Sequence, residues 1–297
     1  MITLEQWKNN GQCIHCLDFS LFYQEAGNHN QEKLLLIHGF PTASWDWYKT
    51  WDALSEKFHV YAPDMLGFGF SEKPKGHDYT IMEQADLLEE FLTKKGVSGY
   101  HILAHDYGDT VAQELLARHE DRLKKDMKGL VVKSVCFLNG GLFPETHRAR
   151  FSQKLLLSPL GAIMATLMNK SGFKKAFEPI FGKNSPPSQE EIDAFWELIN
   201  YNNGKIHFHK LIRYMVDRRL HRERWVGVLQ TSRVPLRVID GQDDPVSGLH
   251  MTVRYKELVP NPDVVLLPGI GHYPHTEAPE AVLKAYFDFV NQRGLLF

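Results

Sequence analysis

The chain has 297 residues, of which 43% are hydrophobic and 24% charged, and Lys+Arg 34 against Asp+Glu 36 leave a net charge of -2. This is the profile of a folded globular protein with no global attraction to polyanions, so a small neutral substrate fits better than nucleic acid or an anionic membrane. No stretch approaches the roughly 18 consecutive apolar residues of a membrane span. Met1 to Asn10 lacks a basic region followed by an apolar one, and the sequence reads as cytoplasmic.

Residues 12–26 alternate between polar and apolar, and Gly27-Asn28-His29-Asn30 then marks a turn, which predicts an opening hairpin. Cys13 and Cys16 form a CxxC there, but no second CxxC or His pair follows, so they read as strand residues rather than a metal or redox site. Short apolar runs at 34–37, 60–62, 101–104, 131–138, 236–239 and 264–267 suit strands buried on both faces. Amphipathic stretches of helical length separate most of them, at 46–57, 82–95, 109–119, 249–258 and 279–292. Strand alternating with helix predicts an α/β fold with a mostly parallel central sheet and helices on both faces. The alternation breaks between about 143 and 232, where helix-like segments (151–169, 188–200, 207–220) replace strand patterns. The expected organisation is a core of 1–142 and 233–297 with a helical cap, 143–232, inserted into it.

In open parallel sheets the chemistry lies at the carboxyl ends of the strands. The first run ends in His38-Gly39-Phe40-Pro41, where the Phe40 N–H is the natural donor into the crevice. After the second comes a glycine-containing loop, 62–71, that matches no phosphate-binding pattern. The third ends in Ala104-His105-Asp106-Tyr107-Gly108, the layout of a nucleophile elbow, small-x-nucleophile-x-small. Here the nucleophile position holds a carboxylate, which taken alone would read as a helix cap in preference to a nucleophile. The later strand ends supply Gly241-Gln242-Asp243-Asp244 and Gly271-His272-Tyr273-Pro274. Nucleophile, acid, histidine, each after its own strand, is the chain order of a hydrolase triad. Three neighbours are read as bystanders: His275 as solvated surface, His105 as pointing away from the crevice, and Asp109 as serving the helix N-terminus. The run Arg213 to Arg224, with five arginines beside Asp217 and Glu223, reads as a solvated helix face.

The segments HGFP (38–41), HDYGD (105–109), GQDDPV (241–246) and GHYP (271–274), with APDMLGFGFSEKP (62–74), resemble the epoxide hydrolase and haloalkane dehalogenase branch of the α/β-hydrolases along nearly the whole chain. That resemblance implies an α/β-hydrolase fold in which Asp106 forms a covalent alkyl-enzyme ester. His272 then activates water, Asp244 orients the imidazole, and the backbone N–H groups of Phe40 and Tyr107 form the oxyanion hole. Asp244 is preferred to Asp243 because the family acid usually sits three residues after the strand-end glycine; Glu145 ranks behind both. No cofactor or metal is implied, and the expected state is a monomer or homodimer acting on a small apolar molecule.

Two reactions stay open within the resemblance. Epoxide hydrolases share the HGFP loop and the HD-aromatic-G elbow and protonate the ring oxygen with cap tyrosines. Tyr201 and Tyr214 are the available ones, and Trp225 joins them as a candidate substrate contact. Haloalkane dehalogenases usually carry Trp after the nucleophile and Trp or Asn at a second site, where this chain has Tyr107 and Phe40. A catalytically silent fold used for binding is a third reading, against which the intact Asp106/His272/Asp244 set argues.

Overall fold

The computed structural model describes residues 2–294. Eight strands, β1 (Gln12–Cys16), β2 (Phe19–Ala26), β3 (Lys33–Ile37), β4 (His59–Pro63), β5 (Gly99–His105), β6 (Val131–Leu138), β7 (Leu236–Gly241) and β8 (Val264–Leu267), form one sheet in the order β1-β2-β4-β3-β5-β6-β7-β8. Pairing is antiparallel for β1/β2 and β2/β4 and parallel for every other neighbouring pair. The parallel strands β3 to β7 are nearly continuous runs of buried residues because helices cover both of their faces, which is why their sequences do not alternate. Strand β8, expected to be buried on both faces, is the edge strand and is only partly buried at all its positions. The opening hairpin exists, but its turn lies at Leu17–Asp18, with Leu17 at φ 49, while Gly27–Asn30 leads into β3.

The helices are α1 (Leu4–Asn10), α2 (Trp51–Lys57), α3 (Ile81–Lys94), α4 (Tyr107–Lys124), α5 (Phe151–Leu157), α6 (Gly161–Leu167), α7 (Lys170–Phe177), α8 (Gln189–Asn200), α9 (Phe208–Leu211), α10 (Tyr214–Leu220), α11 (Arg222–Thr231), α12 (Leu249–Leu258), α13 (Pro274–Glu277) and α14 (Pro279–Gln292). The stretch expected as one helix over 46–57 divides into a 3-10 turn at Ser44–Trp47 and α2. The sequence pattern does not predict helix α1. It starts on a Thr3/Gln6 capping box and buries Trp7, whose indole N–H donates to Ser44 Oγ at 3.2 Å.

Seven helices, α5 to α11, lie between the end of β6 and the start of β7. Their return to the core is fixed on α4: the Trp225 indole donates to Glu114 at 2.8 Å, and Arg224 pairs with Glu114 and Asp121, each at 2.7 Å. Strands β3, β5, β6, β7 and β8 all discharge their loops at the same sheet edge, beneath these helices. Among the described residues no helix is long and apolar enough to cross a membrane.

Candidate active site

The turn from β5 into α4 carries a residue in a strained conformation. Asp106 has φ 47 and ψ -104, a conformation a non-glycine residue adopts only where its surroundings impose it. Its N–H donates to the Leu138 carbonyl on β6, and the following Gly108 lies so close to β3 that a Cβ there would meet the Ile37 carbonyl oxygen at 2.5 Å. A small residue is therefore required two places after the aspartate, which is the physical content of the elbow pattern. The buried Asp106 side chain accepts from the Phe40 N–H through Oδ2 at 3.1 Å. The loop that presents Phe40 is held in turn: His38 Nε2 accepts from the Met65 N–H at 3.0 Å, and Asp64 accepts from the N–H groups of Ser44 and Phe70 at 2.8 and 2.7 Å.

The second half of the site is a buried acid–imidazole pair. His272 Nδ1 lies 2.7 Å from Asp244 Oδ2, and Asp244 also accepts from the N–H groups of Val246 and Ser247, from Ser247 Oγ and from Asn139 Nδ2. Burial alone would raise the Asp244 carboxyl, yet the imidazolium and these donors hold it below the usual carboxylate range. For His272, burial disfavours the charged ring, but the charge and hydrogen bond of Asp244, with the charge of Asp106 behind them, lift it to about 9. Asp243 is exposed, and Glu145 is engaged on the surface with Arg222 and Arg254. Of the three candidate acids, Asp244 alone reaches the imidazole.

A pH dependence of stability follows from that pair. The folded-state value of His272 is raised, so its contribution is fully present below the unfolded value near 6.5 and is lost as pH rises through about 9. Urea unfolding midpoints of the wild type should fall across that interval, and His272→Gln should flatten the fall. An unchanged slope in the variant would show that the pair is not ionised in the native state.

Asp106, His272 and Phe40 face a cavity of about 330 Å³, whose remaining wall comes mainly from α5, α6 and α7 through residues such as Leu156, Leu167, Phe173 and Phe177. Arg150, Gln153 and Asn169 give it a few polar groups. Tyr107 follows Asp106 in sequence, but its fully buried ring packs against Phe68 and Tyr214 and takes no part in the cavity wall. Tyr214 is fully buried against Phe40 and Tyr107, and its phenol has no hydrogen-bond partner.

Several sequence expectations need correction. Trp225 is occupied in the joint between α11 and α4, and Tyr201 packs on Phe70 beside Lys8 and Lys73, so neither lines the cavity. His275 is not solvated: α13 begins at Pro274 and carries its ring fully inward, onto Trp47 and His105. His105 does point away from the cavity, and its Nε2 donates to the His272 carbonyl at 2.8 Å, steadying the histidine loop from behind. Asp109 does stand in the first turn of α4, fully buried, with its carboxyl group against Gly140. The arginine run is a solvated face only at Arg213 and Arg219. Arg218 is only 2% exposed and reaches the elbow itself, while Arg222 and Arg224 are tied up in ion pairs.

Asn139 escaped sequence reasoning altogether. It clamps the acid loop by donating to Asp244 and to the Gly241 carbonyl while accepting from the Gly241 N–H. Nothing local distinguishes it, because its partners lie more than a hundred residues away. The described residues with the donor chemistry for a cation are Asp46, His105 and His275, whose ligand atoms lie within 4.8 Å of one another, and Glu25, His29 and His59.

An elbow, an oxyanion-type donor and an acid–histidine pair at the ends of parallel strands define a class of protein. Residues 33–279 match the alpha/beta hydrolase fold family, and the chain belongs to it. Its sequence is 40% identical over 299 residues to the mesoderm-specific transcript protein of Mus musculus, covering 97% of this chain and 88% of that one. Its structure is similar to a haloalkane dehalogenase DbeA loop variant from Bradyrhizobium elkanii, with TM-score 0.79, 19% identity, and coverage of 95% and 96%. It is similar also to the epoxide hydrolase CorEH, with TM-score 0.78, 17% identity, and coverage of 95% and 98%.

Proposed function

We propose that this chain hydrolyses a small apolar electrophile through a covalent ester on Asp106, in the manner of an epoxide hydrolase, with residues 143–232 acting as a cap over the site. The observation that carries this reading is the carboxylate on the elbow, with one oxygen already accepting from the Phe40 N–H, beside a buried His272–Asp244 pair. A carboxylate gains little by attacking an acyl carbon, where it would form an anhydride. At a saturated carbon it displaces a leaving group and yields a stable ester.

The sequence of steps follows from the geometry. Asp106 attacks carbon, the ring C–O bond breaks, and the released oxygen takes a proton. Loss of the Asp106 charge removes part of what holds His272 protonated, so the imidazole gives up its proton, which in net terms is the one the ring oxygen has gained, and is neutral when a base is needed. Neutral His272 then takes a proton from water as that water attacks the ester carbonyl. The oxyanion forms where the Phe40 N–H already points, and the N–H of Tyr107, at the open start of α4, is the second donor. Collapse releases the diol and restores the carboxylate.

Epoxide is favoured over halide because, at the two positions that flank the nucleophile, Phe40 has no donor side chain and the Tyr107 phenol does not line the cavity. A halide leaving there would meet only their backbone N–H groups, the side-chain donors Arg150, Gln153 and Asn169 belonging to the segments after β6. The Tyr214 phenol is outside the cavity wall, but it is buried beside Phe40 with no partner of its own and near enough to feel the Asp106 charge, and a turn of its ring toward the cavity lets it donate to a ring oxygen. Incubation with 1,2-epoxyhexane and 1-bromohexane, scoring diol and bromide, tests the choice. Tyr214→Phe should slow diol formation by roughly 100-fold, the scale of a lost general acid, and leave bromide release within a few-fold. Bromide without diol would make the protein a dehalogenase. Neither product, with no ester formed, would favour a binding role.

A further inference from the structure

The cap makes one contact with the nucleophile that no motif announces. Arg218 on α10 is almost wholly buried, its Nε donates to Thr110 Oγ1 at 2.7 Å, and one terminal nitrogen donates to the backbone carbonyl of Asp106 at 3.0 Å. The same nitrogen lies 3.8 Å from Asp106 Oδ1, the carboxylate oxygen opposite the one that meets Phe40. Its Cζ lies over the Tyr214 ring, at 4.5 Å from the centroid.

Gly140 and Gly141, just past β6, give the arrangement its room. A Cβ on Gly140 would meet Asp109 Oδ2 at 2.0 Å, and one on Gly141 would meet the other terminal nitrogen of Arg218 at 2.3 Å. That nitrogen has no hydrogen-bond partner, and neither carboxylate oxygen of Asp109 has one. The start of α4 therefore brings two buried carboxyl groups, Asp106 and Asp109, together with one buried guanidinium. A buried, always-charged group is costly unless it faces opposite charge, and the carboxylate oxygen this one meets, at 3.8 Å, belongs to Asp106.

We infer that Arg218 is a positioning residue supplied by the cap, serving as counter-charge to the nucleophile and acting chiefly in the second half-reaction. Resting on the covalent reading above, the argument concerns charge at each step. While Asp106 is an anion, Arg218 stabilises it and so slows its attack. Once Asp106 is a neutral ester, the same cation favours return of negative charge, first as the tetrahedral oxyanion and then as the carboxylate. The net effect is to hasten ester hydrolysis relative to ester formation. Because the guanidinium comes from α10, the cap must be seated for the second step to run at full rate.

The first test needs no substrate. Unfolding of the wild type, Arg218→Gln, Asp106→Asn and the double variant forms a cycle at neutral pH. If charge on the side chain matters, Arg218→Gln shifts the unfolding equilibrium at least roughly ten-fold less in the Asp106→Asn background than in the wild type. A pure tether to the Asp106 carbonyl would survive Asp106→Asn and show no coupling, which overturns the assignment. Arg218→Lys keeps the charge and guards against a variant that fails to fold; it should recover most of the coupling.

The second test follows the ester by mass spectrometry after mixing with 1,2-epoxyhexane. Arg218→Gln should hydrolyse it roughly 10- to 100-fold more slowly while forming it at least as fast, with Arg218→Lys in between. Equal slowing of both steps would mean simple loss of structure and sinks the proposal. His272→Gln serves as the control. If His272→Gln traps no ester while the unfolding cycle still couples, the covalent reading fails and the Arg218–Asp106 pairing stands.

Discussion

Asp106→Ala is expected to leave no turnover of an accepted epoxide, a loss of roughly 10,000-fold or more, because it removes the bond-forming atom rather than an assisting group. The label in a single turnover decides what that atom does. In oxygen-18 water the attacking water adds to the ester carbonyl, so the heavy oxygen ends in the Asp106 side chain and the first diol carries the old carboxylate oxygen. A general-base enzyme that aimed water directly at the epoxide would put the label in the diol at once and leave Asp106 light. Asp106→Asn adds a kinetic signature, slow recovery of activity if the amide hydrolyses back to Asp. Heavy oxygen confined to product, with Asp106→Ala still active, would remove the proposed mechanism.

His272→Gln should separate the two halves of the reaction. Attack by Asp106 needs no base, whereas breakdown of the ester needs a proton taken from water, so the variant should form the ester and then stall. Hydrolysis is expected to slow by roughly 1,000-fold, with a stoichiometric mass increase on the peptide containing Asp106. The pH profile of ester hydrolysis in the wild type should rise to a plateau with its midpoint below about 9. The free enzyme holds His272 at about 9 partly through the Asp106 charge, and that charge is gone in the ester. Normal turnover by His272→Gln would exclude it as the base. His275 could not take its place, because its ring is sealed against Trp47 and His105 and burial pushes it down to about 3.

What the sequence determined is the part of the protein whose causes are local. Strands buried on both faces must be short apolar runs, so β3 to β7 could be read from their residues alone. The elbow is legible because Gly108 cannot carry a side chain against the Ile37 carbonyl, and the glycines flanking the acid and histidine loops mark equally crowded turns. Helix α1, at 7 residues, is too short for its period to stand out.

Tertiary structure decided everything that joins distant segments. Asn139 meets Asp244 across 105 residues, and Arg218 meets Asp106 across 112. In sequence, Arg218 is one cation among five, and only the packing of α10 onto the elbow separates it from its solvated neighbour Arg219. The same holds for Tyr107 and Trp225, which have the residue types of a substrate contact and point into packed core instead. Residue type and spacing record what a side chain is able to do. Which way it faces is set by the sum of contacts from elements far along the chain, and that sum exists only in the folded molecule.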